Sequence, residues 1–252
     1  MASRQPSLVA RALQPLAASL WALFLVWTVI VAAVWLGEFG GTDLQRLIAN
    51  PGLRGALEFI LRSLDAAWFV IAGANAYLVL AEVEGILVAR RWATLVVGGA
   101  WIISAASAWT TVPLGAIHYT PRLGMRIGPV PFGLLLMWLA FVLGARALVL
   151  RLAPRASHFQ ASIAIGVVVA LTAANLDPLA WKFRALWIWR AMPVPVLGNM
   201  ASWLAASFAF AFFMRETRVA SSSWGEFPRP ATALIIFNGV FLLVHAARFL
   251  RG

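Results

Sequence analysis

There is no cysteine in the 252 residues, so disulfides, thiolate catalysis and iron–sulfur ligation are excluded. Histidine occurs three times, at His118, His158 and His245, too few for a His-rich metal site of the diiron type. Lysine occurs once, at Lys182, and not in the last apolar run, which argues against a retinal Schiff base there. Charged residues make up 12% of the chain, against about 25% in a soluble domain. No phosphate-cradling glycine loop, Ser/His/Asp arrangement or metal-spaced cluster is visible, so neither a metal nor a cofactor is expected.

What the chain does have is apolar surface. It is 62% hydrophobic, where soluble domains average about 45–50%. One aqueous core cannot hide that much, and an all-α polytopic membrane bundle follows, in a single domain over 1–252. A span takes roughly 20 apolar residues. About seven such runs are present, at 16–36, 56–88, 93–109, 132–152, 159–176, 197–214 and 231–249. The first run is too long for a signal-peptide core, so 1–14 reads as an N-terminal tail before a true span. Residues 43–48 suggest a short interfacial helix, 113–131 a structured inter-helix loop and 179–194 a Trp-rich polar connector; no strands are expected. Gly98-Gly99 on the third run permits close helix approach or leaves a groove.

The formal net charge is +11. The arginines come singly or in pairs at run ends, where their stems lie along apolar surface and their heads reach lipid headgroups. There is no soluble basic module, so nucleic acid is not an expected partner. Lysine and arginine divide almost evenly between the two faces, so orientation stays open; the bacterial cytoplasmic membrane is the expected location. Most acids lie near run ends, apart from Asp65, which disfavours a transporter or proton channel. Arg62 and Asp65 are at helical spacing and are expected to shield each other.

The loop carries Pro113-Leu114-Gly115-Ala116-Ile117-His118-Tyr119-Thr120-Pro121-Arg122-Leu123-Gly124, and continues through Ile127, Val130 and Pro131 to Trp138. Downstream come Asp177-Pro178, Trp187-Ile188-Trp189, Pro195, Asn199 and Trp203. These two stretches, in this order, resemble the membrane carotenoid-biosynthesis family, whose characterised members hydrate the terminal double bond of acyclic carotenoid ends. The family pattern runs close to P-F-G-x-Y-x-Y-T-x-x-L-G-x-x-[IL]-x-G-V-P, then Asp-Pro, Trp-x-Trp, Pro and N-x-x-x-W. Two departures stand out. The family's Glu-Trp pair, counted back from the opening proline, falls on Ser104-Ala105, and an aromatic position of the pattern holds Ile117.

The resemblance implies a carotenoid or related polyene drawn from the bilayer, and cofactor-free, acid-catalysed addition of water to its terminal C=C. That chemistry needs a carboxylic acid that stays protonated near neutrality, a π-rich wall for the tertiary cation, and a polar group to hold water. Asp177, Glu82 and Glu84 are the acid candidates. Trp138, Trp187, Trp189 and Trp203 are wall candidates. His118, Tyr119, Asn175 and Asn199 could hold water, and Thr120 lies in the matched motif beside Tyr119 as a substrate-binding candidate. Competing structural roles exist for each. Asp177 before Pro178 can start a turn, the glutamates can pair with Arg90-Arg91, His118 can sit at the interface, and tryptophans fill interfacial belts. The loop is expected to roof an apolar tunnel with the acid at its blind end. Without the glutamate expected at Ser104, the chain can alternatively be a non-catalytic pigment-binding subunit.

Overall fold

The computed structural model describes residues 8–37, 51–190, 196–214 and 228–251. Among these residues there are seven α-helices: α1 Leu8–Gly37, α2 Pro51–Glu84, α3 Ile86–Thr110, α4 Phe132–Leu152, α5 His158–Pro178, α6 Val196–Phe213 and α7 Arg229–Arg251. Six of them are long and apolar enough to cross a membrane, and α6 is a shorter apolar helix. The expected all-α membrane bundle is therefore what the chain builds. The interfacial helix expected at 43–48 lies outside the described residues, as does Pro195.

Two boundaries differ from the reading of the sequence. Helix α1 already begins at Leu8, within the stretch read as a tail. The long second run does not continue to Val88. It ends at Glu84, because Gly85 takes φ +98° and ψ 155°, a conformation open only to glycine without strain. Arg90-Arg91 therefore belong to the start of α3 and do not close α2.

Helix α4 is the hub. It packs against α2, α3, α5, α6 and α7, and 83% of its span is buried, against 22% for α1 and α3. The apolar side chains left on the outer helices, such as Val26, Val29, Ile102 and Leu242, face outward, as lipid contact requires. Helix α1 is fastened to α2 by polar groups that would otherwise be orphaned in hydrocarbon. Asn75 Nδ2 donates to the Ala17 carbonyl (3.1 Å), Trp27 Nε1 to that of Leu64 (3.0 Å), and Trp68 Nε1 to Thr28 Oγ1 (2.8 Å). Phe237 of α7 joins the helices through rings: its centroid lies 4.4 Å from Trp68, 5.5 Å from Phe141 and 5.6 Å from Phe24.

Glycines let backbones approach at these crossings. A Cβ at Gly73 would sit 2.5 Å from the Leu136 carbonyl oxygen, and one at Gly99 would meet Phe210 at 2.4 Å, whereas one at Gly98 meets nothing within 4 Å. Gly99 thus serves packing. Gly73→Ala is expected to destabilise the protein by about 1–3 kcal/mol, since a backbone carbonyl cannot rotate aside. Gly98→Ala is expected to be neutral or slightly stabilising. Thermal unfolding of the two purified variants in detergent compares them directly.

At its other end α5 starts on a capping box. Ser157 Oγ accepts from Gln160 N and Gln160 Oε1 accepts from Ser157 N. Its C-terminal end does not stop at Leu176. The chain stays helical through Asp177-Pro178 and widens into a π-turn at Leu179–Phe183. Pro178 has no N–H to give to the preceding turn, which is a local cause for that widening.

Candidate functional site

Short strands, not expected from the sequence, build the roof of the site. β1 (Ile117–Tyr119) pairs antiparallel with β4 (Trp187–Trp189), placing Ile117 opposite Trp189, His118 opposite Ile188 and Tyr119 opposite Trp187. Between them in the chain lie β2 (Arg126–Ile127) and β3 (Val130–Pro131), a second small pair. In both β1 and β4 the outer two residues are buried and the middle one exposed, the alternation that a pleat imposes. Tyr119 and Trp187 therefore point inward together, and His118 points out.

The roof is tied down beyond the ladder. Thr120 Oγ1 donates to the Ala185 carbonyl (2.6 Å), and the Thr120 amide donates to that of Leu186 (3.0 Å). The Arg126 guanidinium donates to the Tyr119 carbonyl. The 3₁₀ turn Pro121–Leu123 ends at Gly124, whose φ of +85° turns the chain back toward α4.

Beneath the roof, Trp138 of α4 and Trp203 of α6 stack with centroids 3.6 Å apart and planes 9° from parallel. Asn199 lies one turn before Trp203 on the same face of α6. These residues, with Tyr119, Trp187, Leu114, Ile117 and Leu134, line a cavity of about 10 Å³. That is room for roughly one water. Among the described residues this space is water-sized, and the stacked Trp138 and Trp203 rings form part of its lining. The Tyr119 hydroxyl, Ser104 Oγ and Trp138 Nε1 are all buried here and without a hydrogen-bond partner among the described residues. Burial pushes the Tyr119 phenol above its usual range, with the neighbouring Ser104 hydroxyl opposing.

Asp177 stands behind the cavity wall. It is 3% exposed, and its Oδ1 accepts from Trp187 Nε1 (3.2 Å) and Asn199 Nδ2 (3.4 Å). Both donors line the cavity, so the carboxylate is one side chain removed from it. Among the described residues no hydrogen bond reaches Oδ2, which makes it the oxygen open to a proton.

The fold thus brings together Asp177, Tyr119, Trp138, Trp187, Asn199 and Trp203, drawn from both sequence stretches. Trp189 is buried on the inward face of β4, and Thr120 acts as a tie of the roof. The remaining candidates lie elsewhere. His118 is exposed on the outer face and contacts Arg190 through Nδ1 at 3.0 Å. Asn175 turns to α7, donating to Asn238 Oδ1 at 3.3 Å. Glu82 and Glu84 lie at the far end of α2; Glu84 is about 28 Å along the helix from Asp65, at 1.5 Å per residue. Glu84 does not pair with Arg90-Arg91 but makes a bidentate salt bridge to Arg146 (2.7 and 2.9 Å), stacked on Trp92. Asp65 likewise pairs with Arg184 (2.9 Å) and not with Arg62. Sequence reasoning missed Ser104 as a neighbour of Tyr119 and missed the strand pair. The only local signal for the latter was the matching alternation in Ile-His-Tyr and Trp-Ile-Trp.

Fold and site together define a polytopic helix-bundle membrane protein with an aromatic, carboxylate-backed pocket under a loop at one end. Residues 65–250 match the family model described as "Carotenoid biosynthesis protein", and the chain belongs to that family. No curated protein and no solved structure matches it significantly. A role in carotenoid biosynthesis at a membrane follows from the family and the apolar helices.

Proposed function

We propose that the protein adds water to the terminal C=C of an acyclic carotenoid end group without a cofactor. The observation that carries this reading is a buried carboxyl, Asp177, hydrogen-bonded to two residues of a water-sized, indole-walled cavity. In the reaction, a proton leaves Asp177 for one alkene carbon as the π bond breaks, and the neighbouring tertiary carbon becomes cationic. The faces of Trp138, Trp187 and Trp203 stabilise that cation by their quadrupoles. Water held by Asn199 and the Tyr119 hydroxyl forms the C–O bond and returns a proton to Asp177, closing the cycle. The cavity takes the water, and room for the polyene end comes from Trp138 and Trp203 parting or from the β1–β4 roof lifting. Glu82 and Glu84 have no place in this scheme.

A second reading, a pigment-binding subunit without turnover, draws support from Ser104, which occupies the position where the resemblance expects a glutamate and stands beside Tyr119. One experiment separates the two. The chain is expressed in a host that accumulates acyclic carotenoids, and extracted pigments are resolved by mass. The hydration reading expects product heavier by one water. Unchanged pigment that co-purifies with the protein would replace it with the binding reading.

A further inference from the structure

Away from the cavity, three arginines are grouped about one aspartate, and one of them pairs with it. Asp65 of α2 is fully buried, and both its oxygens are taken: Oδ1 by Trp35 Nε1 (2.8 Å) and Oδ2 by Arg184 Nη2 (2.9 Å). Arg62 lies one turn before Asp65 on α2. Arg122 belongs to the 3₁₀ turn, which is seated against α2 beside Asp65. A Cβ at Gly133 would come within 2.6 Å of the Leu123 carbonyl and 3.2 Å of Ala66 Cα, and one at Gly124 within 3.3 Å of Ala66 Cβ. Arg122 is half-buried. Its guanidinium is held below the usual arginine range by that burial, then by the charge of Arg184, with Asp65 opposing and Arg62 adding.

Among the described residues the cluster therefore holds three cations against one carboxylate. Among the described residues neither the Arg62 nor the Arg122 guanidinium has a hydrogen-bond or ion-pair partner, and Arg184 Nε is buried without one. Like charges gathered in a partly desolvated place raise the free energy unless an anion sits among them. Arginines that only anchor helix ends have no reason to converge. A guanidinium fork matches the oxygens of a phosphate, and bilayer phosphates lie at the level of helix ends.

We propose that Arg62, Arg122 and Arg184 form a binding site for a phosphate group at the loop end of the bundle. The group can come from a phospholipid in the leaflet or from free phosphate or diphosphate in water. This site is independent of the hydration reading, since none of its residues lines the cavity.

The test uses the full chain purified in a maltoside detergent, which contains no phosphate. One arm adds phosphatidylglycerol and measures retained lipid by native mass spectrometry; the other adds inorganic phosphate or pyrophosphate and measures thermal shift. Arg122→Gln is expected to weaken binding about tenfold, the scale of one lost charge-assisted hydrogen bond. Arg122→Lys, which keeps the charge and loses the fork, should recover only part of it. Arg155→Gln, at the opposite end, should bind as wild type. A response in the lipid arm alone assigns the site to the leaflet, and one in the phosphate arm alone assigns it to a soluble anion. If Arg122→Gln fails to fold, Arg62→Gln at its exposed position makes the same comparison. The proposal falls if the wild type binds neither, if the cluster variants bind as wild type, or if Arg155→Gln weakens binding equally.

Discussion

Asp177→Asn is expected to lower hydrated carotenoid by roughly 100- to 10,000-fold, the usual contribution of a general acid. The substitution is chosen for its shape. Asparagine keeps the volume and leaves a carbonyl where Oδ1 now accepts from Trp187 and Asn199, so the wall of the cavity survives. What disappears is the O–H that could protonate an alkene. Asp177→Glu retains the acid and is expected to retain part of the product. Thermal unfolding of Asp177→Asn in detergent should lie close to wild type, which separates lost chemistry from lost structure. Full product from Asp177→Asn would remove this residue from the acid role and, with it, the proposed mechanism. Product loss in parallel with unfolding would mean that Asp177 acts only as the fastening between α5, β4 and α6.

The largest expected effect on stability is at Asp65. Asp65→Ala should cost about 3–5 kcal/mol, because it strips Arg184 of its carboxylate while leaving the guanidinium inside. The Arg184 side chain is 12% exposed and that of Asp65 is 0%. The same change also leaves Trp35 Nε1 without its acceptor. Arg62→Ala, at an exposed position, should change stability by about 0.5 kcal/mol or less. A double-mutant cycle by denaturant unfolding is the measurement. Coupling between Asp65 and Arg184 that clearly exceeds any between Asp65 and Arg62 is the expected result. Replacing both partners by apolar residues, Asp65→Leu with Arg184→Met, should be far less damaging than Asp65→Ala, since no buried charge is then left behind. Equal coupling of Asp65 to both arginines would overturn the reading of the pair.

Several features were open to view in the chain itself. Runs of apolar residues long enough for a bilayer, and the scarcity of charge between them, require a membrane bundle whatever the details of packing, because hydrocarbon leaves a backbone few other ways to satisfy its hydrogen bonds. The Pro/Gly-bracketed loop and the Asp-Pro, Trp-x-Trp and Asn-x-x-x-Trp signals marked the aromatic residues that line the pocket, and carried the family resemblance that the match over 65–250 bears out. Helix capping at Ser157 and the turn at Gly124 rest on neighbours in the chain, and local chemistry governs both.

Other features depended on partners far away in sequence. Arg62 is near Asp65 along α2, yet the carboxylate meets Arg184, 119 positions on, because the connector after α5 brings that guanidinium over Trp35. Glu84 meets Arg146 across 62 positions, although Arg90-Arg91 are much closer in the chain. Strands of three residues or fewer have too little length to show a period, and β1 exists only because β4 lies beside it. The volume of the cavity between Tyr119, Trp187, Trp138 and Trp203 depends on how two indoles from different helices stack. Length and hydropathy are properties of a segment and are set by its own residues. Pairing of buried charges, strand register and cavity volume are properties of contacts between segments, and they take their values only when the helices have packed.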